Sequence, residues 1–321
     1  YAEPGDVVFA QQEHYDEAVL QSLRGQRVDL WGMSKQAIHL FEQLSKQYEL
    51  NLVVPTWDEK YKALSSRESS VACLTSLVSE IPEIAPVIIP SFYSDLAAIE
   101  STNRSSAVKL LVKSPYSSSG RGLLWLEESE LSQSSRQIVQ GMLNRQKKVS
   151  VERVLDKVAD FSMHFSADGF LGYSIFYTNN KGAYEKTWLA SQEKVESKLL
   201  EYIDLALLQK VKQFLLNWIE SEIRPYYVDV VGVDMMIYRS ESGYSLHPCV
   251  EINLRKSMGY LSLRLFENHL SSESEGYFSV ECSSDQTVIP PFMGYEPGLR
   301  GVFSLCPVGS DTKYRALLEV L

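Results

Sequence analysis

The sequence predicts a fold of class α/β and α+β, and three observations carry that reading. A strand–helix–strand unit occupies residues 27–55, several strand hairpins follow it, and amphipathic helices separate the hairpins. Alternating strand and helix marks an open α/β layer, whereas strands joined by short turns mark antiparallel sheet. With 321 residues, the chain can form one large domain or two to three small ones. Its composition, 45% hydrophobic and 22% charged, is that of a globular protein with a real core.

The elements follow in order. RVDLWG (27–32) reads as a strand. Ala37, Phe41, Leu44 and Tyr48 recur on one face and predict a helix over 34–48. LNLVVP (50–55) is the second strand of the unit. Gly32-Met33-Ser34-Lys35 at the turn lacks the spacing of a P-loop or dinucleotide fingerprint, so it reads as a capped helix start. A helix covers 66–80 and ends before Pro82, APVIIPSF (85–92) is a short strand or extended link, and 94–100 is helical. Strands at 110–113 and 123–126 flank a serine- and glycine-rich loop. A helix over 128–144 and a strand over 147–155 come next. Residues 161–168 and 170–178 form a hairpin around Asp168-Gly169. One long helix spans 193–221, strands span 228–239 and 244–255, a helix lies near 258–270, and a late strand covers 301–306.

A net charge of −10 disfavours nucleic acid or an anionic membrane as partner, while leaving room for a local basic pocket. Cys73, Cys249, Cys282 and Cys306 have no paired spacing, so they read as free thiols in a reducing, cytoplasmic setting. No run reaches membrane-spanning length. No signal peptide is visible, but residue 1 is Tyr rather than Met, so this excludes little. The five histidines are scattered and make no ligand pattern; Trp188, Tyr226, Tyr227 and Tyr260 read as packing, and Lys181 and Lys186 as solvated lysines.

Two constellations carry chemistry. The first is LLVKSPYSSSGRGLLWL (110–126). Gly120 and Gly122 let backbone N–H groups approach phosphate oxygens, and Lys113 stands where the strand meets the loop. A strand-to-strand loop is not a P-loop. It is either a solvated hairpin with surface lysines or a lid over phosphates.

The second is a carboxylate pair. Asp234 interrupts the apolar run VVGVDMMIY, and a buried carboxylate needs a partner. Cys249, Glu251, Asn253 and Arg255 alternate onto one face of the next strand. With Ser242 and Gly243 as the central turn residues, Asp234 stands opposite Glu251. Like charges so placed repel, unless a divalent cation joins them. Two carboxylates and the Asn253 oxygen suit magnesium, with phosphate oxygens and water completing its shell. A buried Asp234–Arg255 ion pair accounts for the same residues without metal.

Together these residues resemble the ATP-grasp superfamily, which includes biotin carboxylase and D-alanine–D-alanine ligase. The resemblance implies ATP and magnesium, held between two α+β subdomains behind an N-terminal pre-ATP domain. It divides the chain into a pre-ATP domain at 1–62, a first ATP-grasp subdomain at 63–151 with its lid at about 107–151, and a C-terminal subdomain at 152–321. In this likeness Lys113, Ser119, Gly120 and Gly122 meet the phosphates. VERVLDKVADFS (151–162) resembles the adenine hinge, with Glu152 on the amino group, the backbone near Val154 and Leu155 on the ring, and Asp160 at the ribose. Asp234, Glu251 and Asn253 match the metal ligands, and Arg255 the arginine that steadies the transferred phosphoryl group. The family's second phosphate lysine is absent. SSRESS offers Arg67 in its place, as a phosphate ligand or an exposed helix residue.

The implied activity is that of an ATP-dependent ligase, which activates a small-molecule carboxylate as an acylphosphate for an amine or similar nucleophile. Two alternatives stay open: a kinase of the same fold, and a non-catalytic nucleotide binder. A homodimer is compatible with either. A protein kinase is excluded by the lack of H-R-D and D-F-G stretches.

Overall fold

The computed structural model describes residues 17–117, 121–126, 129–241, 243–282, 289–306 and 312–321. The N-terminal unit holds helices α1 (Glu17–Leu23) and α2 (Lys35–Gln47). Ser34 caps α2, its Oγ accepting from Ala37 N–H at 3.1 Å. The strands expected at 27–32 and 50–55 shrink to a single parallel bridge, Arg27 with Val53. Parallel ladders persist when both faces are covered, and only Val28 and Leu50 of these segments are buried. Gly32 bridges Arg255 instead.

Helices α3 (Glu59–Leu64) and α4 (Arg67–Glu80) follow. A 3-10 turn over Pro86–Ile88 leads to β1 (Ser91–Tyr93) and α5 (Leu96–Ser105). Then come β2 (Leu110–Lys113), β3 (Leu123–Leu126), α6 (Gln133–Gln146) and β4 (Val149–Arg153). These strands form an antiparallel sheet in the order β1-β4-β2-β3. Ile99 of α5 and Val139, Met142 and Leu143 of α6 close its core against Val112 and Val149.

The remaining chain builds the central sheet. Its elements are β5 (Asp156–Ser166), β6 (Gly169–Thr178), β7 (Tyr184–Leu189), α7 (Gln192–Leu200), α8 (Leu205–Trp218), β8 (Val231–Ser240), β9 (Gly243–Asn253), α9 (Met258–His269), β10 (Gly276–Cys282), β11 (Gly301–Ser304) and β12 (Tyr314–Val320). The strand order is β11-β12-β10-β7-β6-β5-β8-β9. The single helix expected over 193–221 is two helices. Asp204 caps the second, its carboxylate accepting from Ala206 N–H at 2.7 Å, and the first ends at Leu200. A π turn over Ile219–Ile223 ends α8. Strands β7, β10 and β12 go beyond the sequence reading, because YEKTWL and YRALLEV mix charge with apolar residues.

Cross-strand pairing sorts the central sheet into two faces. Phe161, Met163, Ile175, Met235 and Ile237 turn toward α4, α7 and α8 and join the main core. Asp160, Ser162, Ser174, Phe176, Asp234 and Met236 turn the other way. Helix α9 packs on that second face over β6 and β7. Gly259 makes the approach close: a Cβ there would run into the Ser174 hydroxyl and the His164 ring.

Candidate functional site

The site begins with the β8–β9 ladder. Ser240 pairs with Gly243, so the turn is centred one residue earlier than the sequence reading had it; Ser242 lies outside the described residues. That register alone would set Asp234 opposite Cys249. Asp234 nevertheless faces Glu251, because β9 holds two extra residues between His247 and Glu251. Pro248 lies in that stretch; it has no N–H for the ladder, and such residues collect at bulges.

Both Asp234 oxygens accept hydrogen bonds, Oδ1 from Ser162 Oγ at 2.6 Å and Oδ2 from Asn253 Nδ2 at 2.8 Å. Burial, followed by the facing Glu251, pushes the Asp234 carboxyl up to about 6, while the two hydrogen bonds and Arg255 pull the other way. Asp234 makes no ion pair with Arg255 among the described residues; its partners are Ser162 and Asn253. Among the described residues no three His, Cys, Asp or Glu side chains gather into a metal cluster. The donor set is two carboxylates and one amide, and it suits a cation whose shell substrate oxygens and water complete. The facing carboxylates are what such a cation would relieve.

Arg67 is not an exposed helix residue. It is buried at the start of α4. Its Nη2 lies 3.3 Å from Glu251 Oε2, and its guanidinium donates to Ser114 O at 3.1 Å and Ser117 Oγ at 3.2 Å. Its own N–H donates to Pro115 O at 3.0 Å. One side chain therefore ties the base of the serine–glycine loop to the carboxylate pair. Gly122 closes that base at φ +70°, packed against Ser114 and Ser117 where a Cβ would crowd both. Ser119 and Gly120 lie outside the described residues.

Lys113 is buried, and its Nζ lies 2.5 Å from Glu152 Oε1. The Val154 N–H donates to Lys109 O at 2.9 Å, so it is not free for an adenine ring as the resemblance suggested. Leu155, in the link between β4 and β5, stays on the cleft wall. Asp160 accepts from Thr178 Oγ1 at 2.9 Å and lies 2.5 Å from Lys157 Nζ. Simple alternation puts Lys157 and Asp160 on opposite faces. A register shift between Lys157 and Ala159 brings them together.

These groups border one cleft of 350 Å³ between the two sheets. Leu111, Leu123 and Trp125 of the four-stranded sheet supply its apolar wall, and Met236 of the central sheet faces them. Lys113, Glu152, Asp160, Arg67, Asp234 and Glu251 supply its polar groups. Sequence reasoning missed Leu111, Trp125, Met236, Lys157 and Ser162; only the apolar run around Asp234 hinted at Met236. Arg255 lies past β9 beside Gly32, outside the cleft lining but near enough to act on Asp234.

Two buried histidines flank the site. His164 bonds Ser174 Oγ at 2.9 Å, and burial drives it down to about 3. His247 is driven down to about 4, chiefly by burial, with Glu152 and Lys113 acting on it in opposite directions.

No protein-family profile matches the chain, and no curated protein sequence matches it. Solved structures match through the fold. The biotin carboxylase domain of 2-oxoglutarate carboxylase from Hydrogenobacter thermophilus, solved with MgADP, ADP and bicarbonate, aligns over 95% of this chain and 72% of its own, with TM-score 0.58 and 11% identity. Biotin carboxylase from Campylobacter jejuni aligns over 90% and 70%, with TM-score 0.56 and 10% identity. N5-carboxyaminoimidazole synthetase from Staphylococcus aureus, complexed with ADP, aligns over 97% and 81%, with TM-score 0.53 and 13% identity. The chain has the ATP-grasp fold. Among the described residues no helix is long and apolar enough to cross a membrane.

Proposed function

We propose that this chain is an ATP-dependent ligase that joins a small-molecule carboxylate to an amine or similar nucleophile. One observation carries the reading: two facing carboxylates, Asp234 and Glu251, share a cleft with two buried cations, Arg67 and Lys113. Polyphosphate chemistry needs that arrangement, because catalysis of phosphoryl transfer is mostly positioning and charge neutralisation.

In this reading Leu111, Trp125 and Met236 hold the adenine ring, and Asp160 with Thr178 holds the ribose. Lys113 and Arg67 bind phosphate oxygens, joined by the loop backbone around Ser119, Gly120 and Gly122. Asp234, Glu251 and Asn253 hold magnesium, which when bound neutralises phosphate charge. Ser162 keeps the Asp234 carboxylate aimed. A carboxylate oxygen of the substrate takes the terminal phosphoryl group and ADP leaves. The amine nitrogen then attacks the acyl carbon, loses a proton, and inorganic phosphate departs. Arg255, at the end of the β9 chain segment, steadies the phosphoryl group in flight.

A second reading has one observation in its favour. Arg67 and Lys113 are each held by a carboxylate of the same cleft, as suits a binder that does not turn over. An ADP-release screen with magnesium-ATP against amino acids, short peptides and hydroxy acids tests both. Release that depends on an acid, with hydroxylamine trapping a hydroxamate, supports the ligase. A stable phosphoester identifies a kinase, and ATP binding without turnover against every candidate identifies the binder.

A further inference from the structure

The turn between β6 and β7 reaches from the central sheet to the other side of the cleft. Its tip, residues 179–183, is closed by its own hydrogen bonds. Asn179 N–H donates to Ala183 O at 2.9 Å, and Gly182 N–H donates to Asn179 O at 2.8 Å. The Asn179 Oδ1 accepts from Lys181 N–H at 2.9 Å and from Ala183 N–H at 3.0 Å. An asparagine oxygen that bonds the backbone two residues on fixes a turn, so the tip is stiff. Its root is tied as well: Thr178 Oγ1 donates to Asp160 Oδ2 at 2.9 Å.

Gly182 is where this tip meets the four-stranded sheet. It sits at φ +74°, and a Cβ on it would lie 3.1 Å from Leu123 Cδ1 and 3.7 Å from Trp125 Cη2. The first distance is inside the ordinary optimum of about 3.5–4.0 Å between carbon atoms. Leu123 pairs with Lys113 and Trp125 with Leu111, so the strand face that receives the tip is the one turned to the cleft. Asn179, Asn180 and Gly182 line that same cleft. A stiff turn on one sheet thus abuts the apolar wall carried by the other, and only a glycine fits between them.

We propose that the 179–183 turn positions Leu123 and Trp125 against the base of the nucleotide, and that the missing side chain of Gly182 sets how near the two sheets come at that end of the cleft. The inference rests on the reading above for what fills the cleft. Gly182 is a positioning residue, acting through Leu123 and Trp125. A side chain there would wedge β3 outward where the ring is held. Lys113 and Arg67, which rest on Glu152 and Glu251, would keep their places.

Calorimetric titration of the full chain with AMP, magnesium-ATP and inorganic tripolyphosphate tests the proposal. Gly182→Asn is the decisive variant, because asparagine tolerates a left-handed backbone and the change adds bulk with little strain. It should weaken AMP and ATP by the same factor, about tenfold for a wall forced out of contact, and leave tripolyphosphate unchanged. Gly25→Asn is the control. Gly25 has φ +69° and a Cβ there would meet nothing within 4 Å, so this variant should bind all three probes as the natural chain does. Leu123→Ala makes room for the new side chain, so the double variant should bind AMP as Leu123→Ala does alone. Thermal midpoints check folding, and Gly182→Ala, a smaller wedge, carries the same test if Gly182→Asn does not fold. An equal loss in Gly25→Asn, an equal loss for tripolyphosphate, or a double variant weaker than Leu123→Ala would each overturn the proposal. A natural chain that binds no adenine nucleotide would sink the ligase reading and this inference together. Natural binding with unchanged AMP affinity in the folded Gly182 variant would sink this inference alone.

Discussion

Lys113 and Arg67 reach the cleft from different elements, the end of β2 and the start of α4, and each rests on a carboxylate. A phosphate chain can replace those carboxylates as partner, because charge-assisted bonds to phosphate are at least as strong. Lys113→Ala should therefore weaken ATP binding by about tenfold or more and AMP binding far less. Equal losses for the two nucleotides in parallel titrations would remove Lys113 from the phosphate role. His164 gives a second prediction at this scale. It faces Ser174 and the backbone of Gly232 and Gly259, and burial holds it neutral down to about 3. An unfolded histidine takes a proton near pH 6.5. The unfolded chain thus gains a proton that the native chain refuses, and stability falls as pH drops from about 6.5 toward 3, by up to roughly 1.4 kcal/mol per pH unit. His164→Gln should flatten that slope in acid-unfolding curves; an unchanged slope would show that this histidine is not the one resisting charge.

Packing of α9 on β6 depends on Gly259, whose missing Cβ leaves room for His164 and Ser174. Gly259→Ala should cost about 1–3 kcal/mol by overpacking, although alanine favours the helix itself. Denaturant unfolding measures this, and a stabilised variant would mean that α9 is free to shift outward. The same scale explains what was legible beforehand. Helix α2 was readable because its cap, Ser34, precedes a periodic apolar run, and the caps Ser66, Asp95 and Ser257 mark the starts of α4, α5 and α9. The Asp234–Glu251 pairing came from counting outward from a turn one residue out of place, and an unforeseen bulge at Pro248 restores it. Lys157 and Asp160 were not readable as neighbours, since period two separates them and only a register shift joins them. The break between α7 and α8 carried its signal in Asp204, which a continuous helical stripe obscured.

At the scale of the whole molecule, two antiparallel sheets face each other across the cleft, joined by the β4–β5 link. Lys113, Glu152 and Trp125 come from one sheet, and Asp160, Asp234 and Glu251 from the other. A ligand between them assembles a site that neither sheet holds alone. The apolar wall was illegible for this reason: Leu111, Trp125 and Met236 look like any core residues until the sheets are set opposite one another.

In the proposed ligase, Asp234 and Glu251 hold the metal that accompanies ATP. Thermal unfolding with and without magnesium-ATP, in the natural sequence and in Glu251→Gln, tests it most directly. Anything bound only by the native state raises its midpoint. Magnesium-ATP should stabilise the natural chain clearly more than ATP with a chelator. Glu251→Gln relieves the repulsion on Asp234, so its unliganded fold should be as stable as before or more so, provided Arg67 keeps its bonds to Ser114 and Ser117. The magnesium-dependent part of the shift should disappear in that variant. A full magnesium-ATP shift in folded Glu251→Gln would contradict the metal site, and the ligase mechanism with it.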